Sequence, residues 1–293
     1  MTFSISSGKS TGTVRTYGGE LISFVCGGIE YVWQGDPEHW NGQAPILFPV
    51  CCSAKDGKMA FDGVEYPMPK HGIARKREFE PVYISKTKVI LEQRESEETL
   101  TMFPFCYSLR AEYSVTDTGF RAQFTVKNLD KNEMTFSIGG HPGFNVPLTE
   151  EDGGFEEHKL VFDDAEGCTV SITENGYMDP ALPKIDRLNG TNELPLVYSD
   201  YDNDCMIVEG LPKKSVELIS TKTEKGFRFD FEGFDALGIW TPIKKNSPFI
   251  CLEPWNGVPA GVDETTDAKS KKYAITLQPN EEYSVGYGIE VIR

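Results

Sequence analysis

Apolar and polar residues alternate with a period of two along much of this chain, a pattern that predicts β-strands with one buried and one solvated face. The clearest stretch is residues 109–126, in which two alternating runs flank the turn residues 116–119, Thr-Asp-Thr-Gly. Two such runs joined by a short polar turn predict an antiparallel hairpin. Further strands are predicted at the other runs of this kind, which are 88–93, 134–138, 215–220 and 227–231.

Signals for helices are scarce. The best of them covers Glu97–Phe103 and ends at Pro104. Residues 149–195 are rich in Gly, Asn, Asp and Pro, and we interpret them as long loops on one sheet system rather than as a linker. The pattern therefore predicts an all-β fold, a large antiparallel β-sandwich with few short helices, formed as a single domain by residues 1–293.

Composition narrows the range of partners. The 293 residues carry a formal net charge of −16, which disfavours binding to nucleic acid or to anionic membranes. No apolar run approaches the roughly 20 residues of a membrane-spanning helix, and the first ten residues do not read as a secretion signal. Because no CxxC pair occurs, the cysteines predict reduced thiols, and we expect a cytoplasmic protein. The cysteines are Cys26, Cys51, Cys52, Cys106, Cys168, Cys205 and Cys251.

Two of the four histidines lie in segments that are typical of a ligand-binding cleft. His71 follows a proline-rich approach and precedes Gly72, and Arg75 supplies a fork of hydrogen-bond donors four residues later. A loop histidine bonded to backbone is an equally good interpretation of His71. His141 follows two glycines at the end of a predicted strand, where the missing side chains would let a ligand approach the backbone.

A carboxylate occupies a comparable position later in the chain. Glu253 ends the apolar run 249–252, where partial desolvation would raise its pKa towards the range of a general base. The competing interpretation is a structural ion pair with a buried arginine. Trp255 follows two residues later and offers an aromatic face on which the C–H side of a sugar ring could pack.

Other candidate residues carry weaker signals. Asp202 and Asp204 stand just before an apolar run, where either could accept hydrogen bonds from ligand hydroxyl groups. Asn145 places an amide next to an aromatic ring. Trp40 belongs to an aromatic loop, for which core packing is the default interpretation and the rim of a cleft is the alternative. His158 is flanked by charged residues and is expected at the surface.

Other chemistries lack their sequence signatures. The chain has no GxxxxGK[ST] or GxGxxG phosphate-binding motif and no HExxH pair. His71, His141 and Glu253 come from three distant segments, so we rank a zinc site below acid–base chemistry and expect neither metal nor cofactor. Two imidazoles and a carboxylate in this setting predict proton transfer on a small neutral molecule.

Taken in order, the segments resemble the aldose 1-epimerase (galactose mutarotase) family, and specifically its LacX-like bacterial branch. The resemblance covers nearly the whole chain. It is carried by Gly27–Asp36, Ala44–Pro49, His71–Arg75, His141–Asn145, Asn203–Asp204, Ile239–Pro242 and Leu252–Trp255. The chain departs from the branch near Gly42, where a basic residue is frequent, and at Cys51–Ser53, where a glycine is expected.

The resemblance implies a supersandwich of galactose mutarotase type, with an open cleft on its concave sheet. It implies that His141 protonates the ring oxygen of the sugar, while Glu253 takes the proton of the anomeric hydroxyl group from the opposite side of C1. His71, Arg75 and an aspartate would hold the substrate. We place that aspartate at Asp204, with Asp202 as the alternative, and the full substrate-binding set is His71, Arg75, Asp204, Asn145 and Trp255.

The implied function is interconversion of the α and β anomers of a free aldohexose, such as galactose or glucose, without a cofactor. Two alternatives stay open. A hexose 6-phosphate would require a cationic cluster, for which Arg75, Lys76 and Arg77 are the candidates. A sugar-binding protein without turnover would have no need of both His141 and Glu253. The expected partner is a small sugar, with neither nucleic acid nor membrane, and a homodimer is left open.

Overall fold

The computed structural model describes residues 1–166, 169–174, 176–179, 181, 188 and 190–292. Strands account for 47% of the residues and helices for 8%, which confirms the all-β class. The strand pairs of its sheets are antiparallel, as the hairpin signals predict.

The strands are distributed over the whole described chain. In the first half they are β1 (Thr2–Ser7), β2 (Ser10–Arg15), β3 (Glu20–Cys26), β4 (Ile29–Glu30), β5 (Ile46–Leu47), β6 (Lys58–Phe61), β7 (Val64–Pro67), β8 (Glu80–Ile84), β9 (Lys88–Arg94), β10 (Tyr107–Val115), β11 (Gly119–Asn128) and β12 (Met134–Phe136). In the second half they are β13 (Ile138–Gly140), β14 (Gly143–Asn145), β15 (His158–Phe162), β16 (Thr169–Glu174), β17 (Tyr177–Met178), β18 (Glu193–Pro195), β19 (Met206–Glu209), β20 (Ser215–Ser220), β21 (Gly226–Asp230), β22 (Ala236–Trp240), β23 (Phe249–Asn256), β24 (Ile275–Leu277) and β25 (Glu282–Ile292).

The helices are short. The α-helix α1 (Glu97–Leu100) begins at the predicted position, where the side chains of Ser96 and Thr99 cap each other's backbone N–H groups. The 3₁₀ helices are Lys55–Gly57, Ala74–Lys76, Glu150–Asp152, Phe155–Glu157, Tyr198–Tyr201 and Ala268–Ser270. No helix in the described part of the chain has the length and apolar character needed to cross a membrane.

Two large sheets form the sandwich. One has nine strands in the order β18-β15-β20-β21-β25-β11-β10-β9-β8. The other has eight strands, with the order β17-β16-β19-β22-β23-β13-β5 and with β14 paired to β23. Smaller sheets are formed by β1–β4, by β6 with β7, and by β12 with β24. The predicted hairpin is β10–β11, in which Val115 lies opposite Phe120.

The core lies between the two large sheets. Phe144 on β14 contacts Phe227 on β21, and the ring centroids are 4.6 Å apart. Gly140 on β13 lies against the ring of Tyr287 on β25, where an added Cβ atom would come within 2.5 Å of the ring. Because successive side chains of a strand point to opposite faces, position 141 faces away from this core.

The alternation at 134–138 predicts one strand, but the structure has two. β12 pairs with β24, whereas β13 pairs with β23 and β5, and Ser137 lies between them. Met134, Phe136 and Ile138 are all buried, so the pattern reports burial correctly. It does not reveal that the chain passes from one sheet to another.

Residues 149–195 contain more strand than the loop interpretation predicts. β15 and β18 join the nine-stranded sheet, and β16 and β17 join the eight-stranded sheet. His158 begins β15 and is only 4% exposed, with its Nδ1 2.8 Å from the carbonyl oxygen of Gly154, so the prediction of a surface histidine is wrong. Cys168 lies outside the described residues, and the other six cysteines are free thiols.

Candidate active site

His141 lies in the gap between β13 and β14, opposite Glu253 on β23. β13 and β14 both pair with β23: Gly139 lies opposite Trp255, and Gly143 lies opposite Cys251. Continuing this register through the gap between β13 and β14 places position 141 opposite position 253. Within this gap the carbonyl oxygen of Pro142 still accepts a hydrogen bond from the N–H of Leu252, at 3.2 Å. The two side chains meet on the outer face of the sheet, with 3.2 Å between His141 Nε2 and Glu253 Oε1.

Aromatic rings fix the orientation of His141. The indole of Trp40 stacks on the imidazole with a centroid distance of 4.8 Å, while Trp240 and His71 approach edge-on at 5.5 Å and 5.3 Å. Trp40 therefore packs against His141 and also lines the cleft. Gly42 leaves room for it, because an added Cβ atom would lie 2.4 Å from the indole. His141 retains 7% exposure, on the side of the cleft.

The segment that contains His71 is held against the chain before Cys52. The His71 N–H donates to the carbonyl oxygen of Cys52 at 2.7 Å, and the Ile73 N–H donates to that of Phe48 at 2.8 Å. Gly72 between them has a φ of 75°, and an added Cβ atom would lie 2.1 Å from the Phe48 oxygen. Only glycine fits this close approach, so the glycine after His71 sets where the imidazole lies.

The His71 ring is held in one tautomer. Its Nδ1 accepts a hydrogen bond from the backbone N–H of Cys52 at 3.2 Å, which leaves the ring proton on Nε2. Burial lowers the pKa of His71 well below its ordinary value, and the nearby positive charges of Lys70 and Arg75 act in the same direction. His71 is therefore both bonded to backbone and part of the cleft, where its neutral ring can donate one hydrogen bond.

Two cations border the cleft. Arg75 is half-buried, and its Nη2 donates to the carbonyl oxygen of Lys70 at 3.3 Å. Lys70 is exposed, and within the described ranges its ammonium group has neither a hydrogen-bond nor an ion-pair partner. The charge of Lys70 lowers the pKa of both His141 and Glu253, so it is near enough to influence the pair.

Asp204 lines the cleft, whereas Asp202 lies further out on the exposed surface. The Oδ1 atom of Asp204 accepts a hydrogen bond from the indole N–H of Trp240 at 2.8 Å. Asp204 has a φ of 102°, a backbone conformation that is costly for a residue with a side chain. The bond to Trp240 helps to hold this conformation and aims the carboxylate into the cavity.

Trp255 and Asn145 have different positions. Trp255 lines the cleft on the same strand face as Glu253, and its indole lowers the pKa of that carboxyl group against the effect of burial. The amide nitrogen of Asn145 donates to the carbonyl oxygens of Glu30 and Val32, at 3.0 and 3.2 Å, and the side chain does not line the cleft. Asn145 thus fastens a neighbouring segment to the sheet instead of making the predicted contact with substrate.

The two glycines before His141 admit protein side chains rather than a ligand. An added Cβ atom at Gly139 would lie 2.7 Å from the ring of Trp255, and one at Gly140 would meet Tyr287. The interpretation of these glycines as a route for ligand approach is therefore wrong. They allow two large aromatic rings to pack on opposite faces of β13.

The side chains surround an open cavity of about 250 Å³. This volume is just below the range of roughly 300–1,000 Å³ that is usual for drug-sized ligands, so the cavity suits a small molecule. The cavity collects every predicted site residue except Asn145, namely His71, Arg75, His141, Asp204, Glu253 and Trp255.

Burial drives both members of the central pair towards their uncharged forms. It lowers the pKa of His141 to about 3 and raises that of Glu253 well above its ordinary value. These directions favour the form of the pair in which the proton is on the carboxyl group of Glu253, 3.2 Å from Nε2 of a neutral imidazole. An imidazolium–carboxylate pair contains the same number of protons, and it differs only by proton transfer across the 3.2 Å contact.

A third potential metal ligand lies beside this pair. The ligand atoms of His141, Cys251 and Glu253 all lie within 4.8 Å of one another, and all three residues are buried. Nitrogen, sulfur and oxygen together suit Zn²⁺. Burial raises the pKa of the Cys251 thiol, so metal binding there would have to displace a proton. An ion at this position would occupy the acid–base pair and block its proton transfer.

Lys70 and Trp240 were not identified as site residues from the sequence. Lys70 directly precedes His71, and Trp240 lies within the segment Ile239–Pro242, so both border segments with recognisable patterns. Nothing local distinguishes an exposed lysine at a cleft from one at an ordinary surface. Their role depends on strand pairings that bring β22 and the segment before His71 to the same cavity.

Known proteins resemble this chain in both sequence and fold. The sequence model of the aldose 1-epimerase family matches residues 1–289. The plasmid-encoded protein LacX of Lactococcus lactis subsp. lactis is 34% identical, with both chains fully covered. A galactose mutarotase-like protein from Lactobacillus casei has 30% identity and a TM-score of 0.92, again with full coverage of both chains.

A galactose mutarotase related enzyme from Lactobacillus acidophilus has the same fold, with a TM-score of 0.92 at 24% identity over all of this chain and 98% of that one. The match to the family model and the identity with LacX extend through the segments that build the cleft. The chain therefore belongs to the aldose 1-epimerase family, in its LacX-like branch.

Proposed function

We propose that this protein interconverts the α and β anomers of a free aldohexose, with galactose and glucose as the first candidates. The observation that carries the proposal is the contact between His141 and Glu253, opposite each other at the base of a cavity of about 250 Å³. Family membership supports an isomerase that acts on a sugar.

Ring opening of a hemiacetal requires a base at the anomeric hydroxyl group and an acid at the ring oxygen. Both oxygens are bonded to C1, so an acid and a base in contact with each other can reach them together. Because Nε2 of His141 and Oε1 of Glu253 are 3.2 Å apart, we place the sugar over the pair, with its ring oxygen towards His141 and its anomeric hydroxyl group towards Glu253.

In the proposed reaction, the Glu253 carboxylate removes the proton of the anomeric hydroxyl group while the His141 imidazolium protonates the ring oxygen. The aldehyde rotates about the C1–C2 bond and closes as the other anomer, with the two residues exchanging roles. The reactive pair is the tautomer of the neutral pair, so the protein gains and loses no proton in the cycle. The Nε2–H of His71 and the charges of Arg75 and Asp204 are available to hold the sugar oxygens.

Neither alternative is favoured by the cleft. Of the three cations considered for phosphate binding, only Arg75 lines the cavity, and Arg77 is paired with Glu98 at 2.7 Å. A sugar-binding protein without turnover would leave the buried pair of His141 and Glu253 unexplained, because burying two titratable groups is costly and binding requires neither.

The test is polarimetry of freshly dissolved α-D-galactose and α-D-glucose with the wild type, His141→Ala and Glu253→Ala. We expect the wild type to accelerate equilibration, and each variant to lose about two to four orders of magnitude in kcat. His158→Gln, a change in the other large sheet, is the control and should retain activity. Equilibration at the buffer rate for every aldose tried would refute the proposal.

A further inference from the structure

Glu20 is a buried carboxylate that takes no part in the proposed proton transfer. It begins β3, in the small sheet of β1–β4, and is only 3% exposed. Its Oε2 atom accepts a hydrogen bond from Nη2 of Arg15, which lies opposite it on β2. Burial of a carboxylate is costly unless its oxygens are paired, so the partners of the other oxygen indicate what Glu20 holds in place.

The second carboxylate oxygen of Glu20 holds segment 43–45, which consists of Gln43, Ala44 and Pro45. Oε1 accepts hydrogen bonds from the backbone N–H groups of Gln43, at 3.0 Å, and of Ala44, at 2.7 Å. Pro45 has no N–H group, so both backbone donors of this segment bind the same oxygen atom. Hydrogen bonds to an ionised acceptor are among the strongest in proteins, and they fix the segment relative to Glu20.

The carbonyl groups of the same segment hold the backbone around His141. The carbonyl oxygen of Gln43 accepts a hydrogen bond from the N–H of Gly143 at 2.8 Å, and that of Pro45 accepts one from the N–H of His141 at 3.1 Å. These bonds span the gap between β13 and β14. The place of the His141 backbone therefore depends on segment 43–45, and the place of that segment depends on Glu20.

We propose that Glu20 is a positioning residue for His141. Its carboxylate fixes segment 43–45, and the segment sets where the imidazole lies relative to Glu253 and the sugar. Glu20 does not line the cavity over the pair, so it acts through the backbone and not by contact with substrate. The effect on turnover rests on the function proposed above, whereas the effect on the place of the imidazole does not.

A competing role for Glu20 would act through Arg75. Burial lowers the pKa of the Arg75 guanidinium, and the negative charge of Glu20 acts in the opposite direction. Arg75 lines the cavity, so loss of this charge would affect substrate binding. The two roles have different kinetic consequences, because a displaced His141 lowers kcat whereas a weakened contact with Arg75 raises KM.

The experiment replaces Glu20 by glutamine. An amide has one oxygen and one NH₂ group, so in either orientation its nitrogen faces another donor, which is Arg15 or the N–H groups of segment 43–45. Polarimetry uses whichever of galactose and glucose the wild type turns over faster. In Glu20→Gln we expect kcat to fall about ten- to a hundredfold, with KM changed by less than about threefold.

A second substitution should reverse this loss. Arg15→Gln, added to Glu20→Gln, supplies an acceptor for the new NH₂ group, so that the new carbonyl oxygen can bind segment 43–45. The double variant should have a kcat within about threefold of the wild type, although the buried charge is absent. Glu209→Gln, the same change at a buried glutamate that is paired with Lys272 outside the cavity, is the matched control and should retain kcat.

The imidazole signals in NMR provide a readout that does not require turnover. The His141 ring stacks on Trp40 at a centroid distance of 4.8 Å, so a displacement of the ring changes the ring current that acts on it. In Glu20→Gln the His141 signal should shift, and the signal of His158, in the other large sheet, should not. The His141 signal is assigned by its absence in His141→Ala.

An unchanged kcat or an unshifted His141 signal in folded Glu20→Gln would overturn the proposal. A rise in KM alone would also overturn it, since Glu20 would then act through Arg75. If Glu20→Gln does not fold by circular dichroism, the double variant decides: a kcat near the wild-type value supports the proposal, and a low kcat or failure to fold overturns it. A shifted His141 signal in Glu20→Gln, with no turnover of any aldose by the wild type, would support this inference while refuting the proposed function.

Discussion

Replacement of Glu253 by glutamine should stabilise this protein at neutral pH while removing its activity. Glu253 is 2% exposed, and burial raises the pKa of its carboxyl group well above the ordinary value. Glutamine has nearly the same shape and can still meet Nε2 of His141, but it does not titrate. The comparison therefore isolates the cost of burying an acid.

The size of the effect follows from proton linkage. Because the folded-state pKa of Glu253 is raised, the folded protein keeps a proton that the unfolded chain releases above its pKa of about 4.5. Stability from this group is fully present below that value and falls by about 1.4 kcal/mol per pH unit until the folded pKa is reached. Between pH 5.5 and pH 7.5 the advantage of Glu253→Gln should therefore grow, with about 3 kcal/mol, or about 6 °C in Tm, as the upper limit that two pH units allow.

The assay is thermal unfolding of the wild type and Glu253→Gln, followed by circular dichroism at both pH values. Titration of all other groups is common to the two proteins and cancels in their difference. Glu232→Gln, the same change at an exposed position, is the control and should show no growth of its Tm difference. An advantage of Glu253→Gln that is equal at the two pH values would mean that Glu253 is ionised in the folded protein, and the reasoning would fail.

The remaining predictions concern turnover. The pair is active while it holds one proton between its two side chains. It takes up a second proton near the His141 pKa of about 3 and loses its one proton at the raised pKa of Glu253, so kcat/KM should be flat from about pH 5 upwards and fall only on the alkaline side. A rise in kcat/KM near pH 6.5, the ordinary histidine value, would contradict this. Trp240→Phe removes the hydrogen bond to Asp204 and should raise KM about two- to tenfold with little change in kcat, measured by polarimetry. Zn²⁺ should inhibit the wild type competitively with sugar, and the inhibition should be weaker in Cys251→Ser. Equal inhibition of the two proteins would exclude the Cys251 thiol as a ligand.

The sequence predicted those parts of the fold that depend on local pattern. The hairpin β10–β11 follows from alternation and a polar turn, and strand β20 has the predicted bounds, Ser215–Ser220. The split of residues 134–138 between two sheets was not predictable, because burial on both sides of Ser137 leaves the alternation intact. The strands within 149–195 were missed since turn-forming residues interrupt them at short intervals.

The structure brings together the candidate residues that lie within distinctive segments, whereas Asn145, which was selected for its chemistry alone, lies outside the cavity. His141 and Glu253 were selected as residue types beside glycine, proline and aromatic residues, and the structure brings them into contact. Asn145 was selected for its amide, but that amide is occupied by backbone carbonyl groups of a segment more than 100 residues away in sequence. Lys70 was overlooked because only tertiary structure places it beside the pair.

The interruption between β13 and β14 explains how a packed sheet can hold an acid and a base in contact. There the N–H of His141 bonds to the carbonyl oxygen of Pro45, at 3.1 Å, instead of to β23, so the chain deviates while the cross-strand register is kept. The side chains meet under aromatic cover, where each alone would be costly to ionise. Sharing one proton keeps the pair neutral overall, and exchange of that proton with a neutral sugar leaves the buried charge unchanged. The same break in pairing therefore accounts for the contact between the two side chains and for the burial that shifts their pKa values in opposite directions.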